Sequence, residues 1–376
     1  MQFKTICAAA ALAGALGVAG TAQAATELNA SIWFPDSQPL TRYGYLEWAK
    51  AVDKASGGDL KINVFTGTSL LPPAAHLSGL RDGVAHLTYH AGTYTPSDLP
   101  EVNVIAMLGI SMKEPLTTAL AVADFSLNDP EMQALWKKQK IVFLGAYASD
   151  IYNLICSKEV SKLDDLKGLK FRTPGKIHAE WVRTVGGTPV TVPSSEIFTG
   201  LDKGQLDCAV MGSNDLKARS LWDVAKYVNL ANTGPYYAGW EWAMHGPTWR
   251  KLSVEHRRIL LDTIADATID TELAYLASVD TILAEAPSKG VTVIEPSDDI
   301  NKSLQEFGKQ ARATAVQEGT EQFKLKDAEG LVARFEATMD KWNKLMEGVD
   351  RKDAAALKTL FRTNVYDKID AKTYGQ

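Results

Sequence analysis

The sequence has few cysteines and few histidines, and it has only one long apolar run. Its 376 residues include three cysteines and six histidines, and its one long uncharged apolar stretch lies near the amino terminus, at residues 6–20. It contains no G-x-S-x-G, H-E-x-x-H, Walker, C-x-x-C or G-x-G-x-x-G motif, which argues against the familiar hydrolase, metalloprotease, nucleotide-binding and dithiol classes. The net charge of −5 offers no basic surface for nucleic acid or anionic lipid.

The amino terminus has the pattern of a secretory signal peptide. Lys4 precedes the apolar run, and Ala22-Gln23-Ala24 provides the small-x-small cleavage pattern. The run is shorter than the roughly 20 residues that a spanning helix needs, and Cys7 lies at its start, where no lipid-modified cysteine is expected. We therefore predict a signal peptide at residues 1–24, a mature protein that begins at Ala25, and a periplasmic location.

Two cysteines, Cys156 and Cys208, remain after cleavage. An oxidising compartment permits a disulfide between them. Two distant cysteines do not establish one, and two buried, unpaired thiols are the favoured interpretation. The pairing stays open at this point.

The apolar pattern alternates between strand and helix periods, which predicts an α/β protein with mostly parallel, helix-covered sheets. Ser253 is a candidate cap for a long helix that ends at Pro287, and residues 331–345 have amphipathic helical spacing. No Gly/Ser- or Pro-rich linker separates domains, so two lobes joined by several crossing segments are expected, an arrangement suited to hinge closure. The predicted strands are residues 28–34, 60–64, 84–90, 102–108, 141–144, 152–156, 169–172, 188–192, 207–211, 236–244 and 291–294.

Arg172 is the most informative single residue. It ends a predicted parallel strand just before Thr173-Pro174-Gly175, and ligands gather at the carboxyl ends of such strands. A guanidinium there can bind a carboxylate through two parallel hydrogen bonds. The alternative is a structural salt bridge to an acidic residue, which position alone favours.

Aromatic residues and two histidines supply further candidates. Tyr89, Tyr94, Trp240 and Trp242 could line an organic ligand, although core packing is the default for each one. The run at residues 236–242 is denser in rings than packing normally requires. His86 and His90 have the same strand parity, so a metal pair is conceivable, but ordinary packing is favoured.

A longer pattern resembles a known family. Residues 165–175 (DLKGLKFRTPG) are similar to the signature strand of TRAP solute-binding proteins, the periplasmic subunits of tripartite ATP-independent periplasmic transporters. The resemblance continues at residues 187–190, 193–198, 201–207 and 222–228, and more loosely at 56–60, 65–70 and 81–83. It implies a two-lobed periplasmic binding protein fold with a ligand cleft, in which Arg172 binds the substrate carboxylate. It also implies the small and large membrane subunits as partners, an ion gradient as the driving force, and no cofactor.

The sequence departs from the family pattern at three places, and the first two bear on the substrate. Met211 stands where many members have Asn, so Gly212, Ser213 or Asn214 is expected to replace that polar contact. No basic residue stands near Tyr152, which disfavours sialic acid and favours a smaller or more apolar monocarboxylate. Cys208 stands where Gly is usual, which we interpret as a packing variation.

These observations lead to one combined expectation. Lobe I is expected to comprise residues 25–150 and about 237–290, lobe II residues 151–236 and about 291–320, with residues 321–376 as helices packing across the lobes. A monomer and a dimer both remain possible.

The predicted function is capture of a small organic anion for a TRAP-type transporter. The alternatives are a binding protein of an ATP-driven importer or a sensor, and a periplasmic enzyme. The expected substrate-binding residues are Arg172, Met211, Asn214, Tyr89, Thr93, Tyr94 and Trp240.

Overall fold

The computed structural model describes residues 25–376, so the predicted signal peptide lies outside the described residues. Two mixed sheets organise this part of the chain, with strand orders β2-β1-β3-β10-β4 and β11-β9-β5-β8-β6-β7. The strands are β1 (Thr26–Ser31), β2 (Leu60–Phe65), β3 (Leu87–Ala91), β4 (Ile141–Gly145), β5 (Tyr152–Cys156), β6 (Lys170–Arg172), β7 (Thr188–Val190), β8 (Cys208–Gly212), β9 (Tyr227–Asn229), β10 (Gly239–His245) and β11 (Thr292–Ile294).

Helices cover the sheets and extend to the carboxyl terminus. Their bounds are α1 (Pro39–Thr41), α2 (Trp48–Ala55), α3 (His76–Arg81), α4 (Pro100–Ala106), α5 (Pro115–Asn128), α6 (Pro130–Lys138), α7 (Lys176–Thr184), α8 (Ile197–Asp202), α9 (Asp215–Ala218), α10 (Gly246–Lys251), α11 (Val254–Glu285), α12 (Asp298–Glu321), α13 (Ala328–Leu345) and α14 (Ala354–Asn364). A π-helical segment, Arg42–Glu47, joins α1 to α2. Among residues 25–376, no helix is both long and apolar enough to cross a membrane.

Each sheet contains one strand that runs against its neighbours. β10 is antiparallel to β3 and β4, and β5 is antiparallel to β8 and β9. Both strands follow a crossing of the chain from one sheet to the other, so they enter their sheet from the side that faces the other lobe. The amino ends of β5 and β10 therefore lie at the same edge as the carboxyl ends of the parallel strands, and this edge forms the cleft.

Three long helices, α11, α12 and α13, pack against the rest of the chain. The Ser253 hydroxyl accepts a hydrogen bond from the backbone N–H of His256, which confirms the predicted cap of α11. α12 contacts elements that pack on both sheets. Its Ser303 hydroxyl accepts a hydrogen bond from the Trp181 indole on α7. The carbonyl of its Gly308 accepts one from Ser111, which follows α4. α13 packs mainly against α5, α12 and α4, so its apolar face is covered within the chain.

The segment at residues 102–108 is helical, and the strand prediction there was wrong. Pro100 occupies the first turn of α4, where its missing N–H costs nothing. The Asn103 side chain donates hydrogen bonds to the carbonyls of Leu99 and Gly92, which anchors the helix on the loop after β3. A short apolar run does not distinguish a buried helix from a buried strand.

Cys156 and Cys208 form a disulfide, so the favoured expectation of two unpaired thiols was wrong. The two residues lie directly opposite each other on the antiparallel strands β5 and β8, with their Cα atoms 4.0 Å apart. Both are fully buried. Cys208 is therefore one half of a cross-strand link, and the packing interpretation of this residue does not hold.

His86 and His90 each make a hydrogen bond to a different part of the first lobe. The His86 ring accepts a hydrogen bond from the backbone N–H of Asn29, and the buried His90 ring bonds the Thr95 hydroxyl at 2.8 Å. No group of three metal-ligating side chains occurs anywhere in residues 25–376.

Candidate ligand-binding site

An enclosed cavity lies between the cleft-facing edges of the two sheets. In this closed form the space that a water-sized sphere can reach is only about 20 Å³. Both lobes contribute to its wall, and seven of its fifteen lining residues are aromatic. They are Phe34, Gln38, Tyr89, Ala91, Tyr94, Tyr147, Ser149, Asp150, Tyr152, Arg172, Ser194, Met211, Asp215, Tyr236 and Tyr275.

Arg172 places a buried positive charge in the wall of this cavity. It is the last residue of β6, and only 2% of it is exposed. Its Nε and Nη1 atoms donate to the carbonyls of Val192 and Val210, both at 3.3 Å. No carboxylate lies within ion-pairing distance of this guanidinium among residues 25–376. The structural salt bridge that position alone favoured is therefore absent from the described chain.

The Tyr94 hydroxyl connects this arginine to the other lobe. It accepts hydrogen bonds from Arg172 Nη2 at 3.4 Å and from the backbone N–H of Ser194 at 2.9 Å. Its own proton is not used in either bond, so it can be donated into the cavity.

Direct contacts hold the lobes together on both sides of the cavity. On one side, Thr93 Oγ1 donates to the carbonyl of Pro174 at 2.7 Å. On the other side, Gln38 donates to Asp215 at 3.1 Å, and the Arg219 guanidinium lies 4.5 Å from the centre of the Phe34 ring. The cleft is thus closed in this structure.

Two aspartates line the wall near the start of β5 and the end of β8. Asp215 forms a buried ion pair with Arg219 at 2.8 Å. Asp150 accepts a hydrogen bond from the backbone N–H of Asn214 at 3.0 Å but has no cationic partner in the described chain. Burial raises the pKa of Asp150 to about 8, and the nearby Asp215 carboxylate adds to this rise. Burial also raises the pKa of Asp215, although Arg219 opposes that effect.

Tyrosine is the most frequent residue of the wall, with six of the fifteen lining residues. The hydroxyls of Tyr89 and Tyr147 share a hydrogen bond at 2.5 Å, and the rings of Tyr152 and Tyr236 are stacked with their centres 6.0 Å apart. Burial raises the pKa of each of these four phenols, so they remain protonated at neutral pH. The wall is therefore apolar over its ring faces and able to form hydrogen bonds at its hydroxyl groups.

The structure brings together four of the seven residues expected from the sequence. Arg172, Met211, Tyr89 and Tyr94 all line the cavity. Thr93 lies at its edge, where its hydroxyl bonds Tyr236 at 2.8 Å.

The other two expected residues lie outside the cavity lining. Asn214 turns away, and its side chain donates to Ser278 on α11. Trp240 is fully buried in the first lobe, where its ring packs against His90 and Trp136.

Sequence reasoning missed Asp150, Tyr147 and Asp215. The strand-end argument that found Arg172 applies equally to Asp215, which comes three residues after β8. Asp150 and Tyr147 lie on the segment that crosses from β4 to β5. Polar or aromatic residues on a segment that crosses between the sheets indicate candidate site residues, but only once the crossing itself is recognised.

Comparisons with known proteins agree with this geometry. The family model described as bacterial extracellular solute-binding protein, family 7, matches residues 30–318. A solute-binding protein of Albidiferax ferrireducens is 25% identical over 276 residues, covering 71% of this chain and 78% of that protein. A monocarboxylate 2-oxoacid-binding periplasmic protein of Nostoc sp. is 25% identical over 290 residues, covering 69% of this chain and 71% of that protein.

A solved structure shows the same fold. It is a marine metagenome TRAP solute-binding protein specific for aromatic acid ligands, in complex with 3-hydroxybenzoate. It superposes with a TM-score of 0.75 at 19% identity and covers 85% of this chain and 100% of that one. The chain therefore belongs to family 7 of the bacterial extracellular solute-binding proteins, and its two-lobed α/β fold is that of TRAP solute-binding proteins.

Proposed function

We propose that this protein binds a small organic carboxylate in the periplasm and delivers it to the small and large membrane subunits of a TRAP-type transporter. The observation that carries this proposal is Arg172, a buried guanidinium that faces the cleft and has no carboxylate partner in residues 25–376. A buried charge without a counter-ion is strongly unfavourable. A ligand carboxylate supplies the missing counter-ion.

The geometry of the Arg172 side chain suits a carboxylate. A guanidinium has five N–H donors in a rigid plane, and its bonds to the Val192 and Val210 carbonyls are long, at 3.3 Å. Nη1 also contacts Met211 Sδ at 3.6 Å, and Nη2 bonds the Tyr94 hydroxyl at 3.4 Å, so four of the five donors make long contacts and one is free. A carboxylate is a stronger acceptor than these partners, so it can take the free N–H and displace one long contact to occupy the fork of the guanidinium. The free proton of the Tyr94 hydroxyl adds a further donor beside it.

The remainder of the cavity suits a compact, flat or apolar body. Its wall includes six tyrosine residues, whose ring faces are apolar and whose hydroxyl groups can form hydrogen bonds with a ligand. The names of similar proteins support this reading: the Nostoc relative is named for monocarboxylate 2-oxoacids, and the marine protein for aromatic acids. We therefore propose a monocarboxylate of modest size as the ligand.

Cleft closure provides the signal for delivery. Tyr94 and Thr93 belong to the first lobe yet bond Arg172, Ser194 and Pro174 of the second. A ligand held by Arg172 strengthens this closed arrangement, which is the form that we propose the membrane subunits recognise.

Calorimetric titration of Arg172 variants tests the binding proposal. A panel of small carboxylates is first screened by thermal shift, and the best ligand is titrated into wild type, Arg172→Ala and Arg172→Lys. Loss of a charge-assisted bond costs about 1.5–3 kcal/mol, so Arg172→Ala should weaken binding by at least about tenfold. Arg172→Lys should be intermediate, because it retains the charge but not the fork.

Arg42→Ala is the matched control, because this arginine lies on the surface in an ion pair with Glu47. It should bind like wild type. An Arg172→Ala protein with wild-type affinity would refute the assignment. Delivery is tested in proteoliposomes that contain the membrane subunits: uptake should require the binding protein and an ion gradient. Uptake that depends on ATP instead would favour the importer alternative.

A further inference from the structure

The wall of the cavity contributed by the second sheet carries two different polar groups. Arg172 ends β6, and Asp150 lies two residues before β5. Both line the same cavity, and both are nearly fully buried. The function proposed above uses Arg172 and the Tyr94 hydroxyl, so Asp150 is a buried acidic group at the site with no assigned role.

One oxygen of Asp150 is engaged and the other is available. Oδ2 accepts the hydrogen bond from the backbone N–H of Asn214 at 3.0 Å. Oδ1 lies against Gly212, where a Cβ atom would be only 2.1 Å away. Within the described chain Oδ1 has no hydrogen-bond partner. Glycine at position 212 thus leaves room for this oxygen at the cavity wall.

The surrounding charges leave no cation for Asp150. Arg219 is paired with Asp215, which leaves Arg172 as the unbalanced charge of the cavity. The other titratable groups close to Asp150 are Asp215, Tyr152 and two residues of α11, Glu272 and Tyr275. With burial raising the pKa of Asp150 to about 8, this carboxyl group carries its proton at neutral pH.

We propose, on the basis of the function proposed above, that Asp150 is a specificity-determining residue of this site. Its uncharged carboxyl group donates a hydrogen bond to a neutral oxygen of the ligand. The ligand class is therefore a monoanion that carries a hydroxyl or carbonyl oxygen in addition to the carboxylate held by Arg172.

Charge balance gives the same class. One ligand carboxylate neutralises the single unbalanced charge of Arg172. A second carboxylate would have no cationic partner in the cavity, because Arg219 is already paired with Asp215. Such a buried, unpaired charge is unfavourable. Dicarboxylates should therefore bind poorly.

Matched benzoates test this inference without any mutation. The affinities of 3- and 4-hydroxybenzoate, 3- and 4-methylbenzoate, isophthalate and terephthalate are measured by calorimetry at pH 7, in chelator-treated buffer so that no cation bridges the two aspartates. The better hydroxybenzoate should bind about fivefold more tightly than its methyl counterpart, which has the same shape but no oxygen. Both dicarboxylates should bind at least about tenfold more weakly than that hydroxybenzoate.

Two variants assign the effect to Asp150. Asp150→Asn places a permanently neutral amide at the same position, with its oxygen on the Asn214 N–H and its nitrogen free to donate. It should keep the preference for the hydroxyl group. Asp150→Ala should lose that preference. Melting curves of both unliganded variants verify that they are folded.

The pH dependence separates the wild-type protein from the amide variant. A site that needs the protonated carboxyl, with a pKa of about 8, should weaken by about fourfold between pH 6.5 and pH 8.5. Asp150→Asn should show no such change. Because Asp215, Glu272 and the tyrosines are present in both proteins, the difference between the two curves belongs to position 150.

Each outcome has one meaning. Equal affinities for the hydroxyl and methyl ligands, tight binding of a dicarboxylate, or equal pH slopes in wild type and Asp150→Asn overturn the role of Asp150 and leave the proposed function intact. If all six benzoates fail, Arg172-dependent binding of a monocarboxylate that lacks any hydroxyl or carbonyl oxygen overturns the ligand class alone, whereas a 2-oxo or hydroxy monocarboxylate that binds is then compared with its deoxy counterpart in the same way. Failure of every carboxylate to bind overturns the proposed function as well.

Discussion

The disulfide between Cys156 and Cys208 joins two adjacent strands of the second sheet, and its removal has a calculable effect. The two residues are 52 positions apart in the chain, so the bond closes a long loop in the unfolded state. We consider the double variant Cys156→Ala/Cys208→Ala. The link lies at the end of the β5–β8 pair away from the cavity, because Tyr152, which lines the cavity, pairs with Gly212 at the other end.

The expected loss follows from the loop-closure entropy. For about 52 residues, the chain-entropy relation gives roughly 14 cal/mol/K, or about 4 kcal/mol at 25 °C. Loss of two buried sulfur atoms adds a smaller packing cost, on the order of 1 kcal/mol. Alanine is used because serine would place an additional hydroxyl group in a fully buried position. The free energy of unfolding of the lobe that contains the link should therefore fall by about 4–5 kcal/mol.

Urea unfolding followed by circular dichroism measures this quantity. Three proteins are compared: oxidised wild type, wild type reduced in urea and kept reduced, and the double variant. Reduced wild type should lose only the entropic part, so its difference from the double variant reports the packing cost. Ligand affinity, measured at a temperature where all three are folded, should be unchanged.

Two results would contradict this reasoning. Alkylation and mass spectrometry of the unreduced mature protein should detect no free thiol, and two free thiols would show that the link does not form. A double variant within about 1 kcal/mol of oxidised wild type would show that the unfolded chain is not restrained in the way that the calculation assumes.

The remaining predictions concern single residues. Burial raises the pKa of Glu241 well above its usual value, so wild type loses stability as the pH rises above about 4.5. Glu241→Gln should be more stable in urea at pH 8, by about 1.4 kcal/mol per pH unit up to the folded pKa, and equal to wild type at pH 4. Gly239→Ala should lower the melting temperature sharply, since φ is +108° and its Cβ would lie 1.9 Å from the carbonyl oxygen of His90 on β3. Gly58→Ala, at φ +92° with no atom within 4 Å, should cost only backbone strain of about 1–2 kcal/mol. Tyr94→Phe removes the hydroxyl that bonds Arg172 and should weaken carboxylate binding by about 1 kcal/mol in calorimetry; wild-type affinity would show that this hydroxyl does not contribute.

The sequence by itself determined the α/β class, most of the strands and the central arginine. Strand periods appear in local alternation, and an arginine at the carboxyl end of a parallel strand is visible from the pattern around it. The signature around Arg172 led to the family that the comparisons show. These features depend on residues that are close together in the chain, and local sequence reports them well.

Tertiary structure decided the rest, because the remaining features depend on how the chain crosses between the lobes. β5 and β10 are antiparallel, and their amino ends therefore reach the cleft. This brings Asp150 to the wall, and it sets Cys156 opposite Cys208. The other crossing, from β9 to β10, leaves Trp240 in the core of the first lobe. Periodicity along one strand does not report the direction of its neighbours, so the acidic group, the disulfide and the buried tryptophan became visible only in the folded chain.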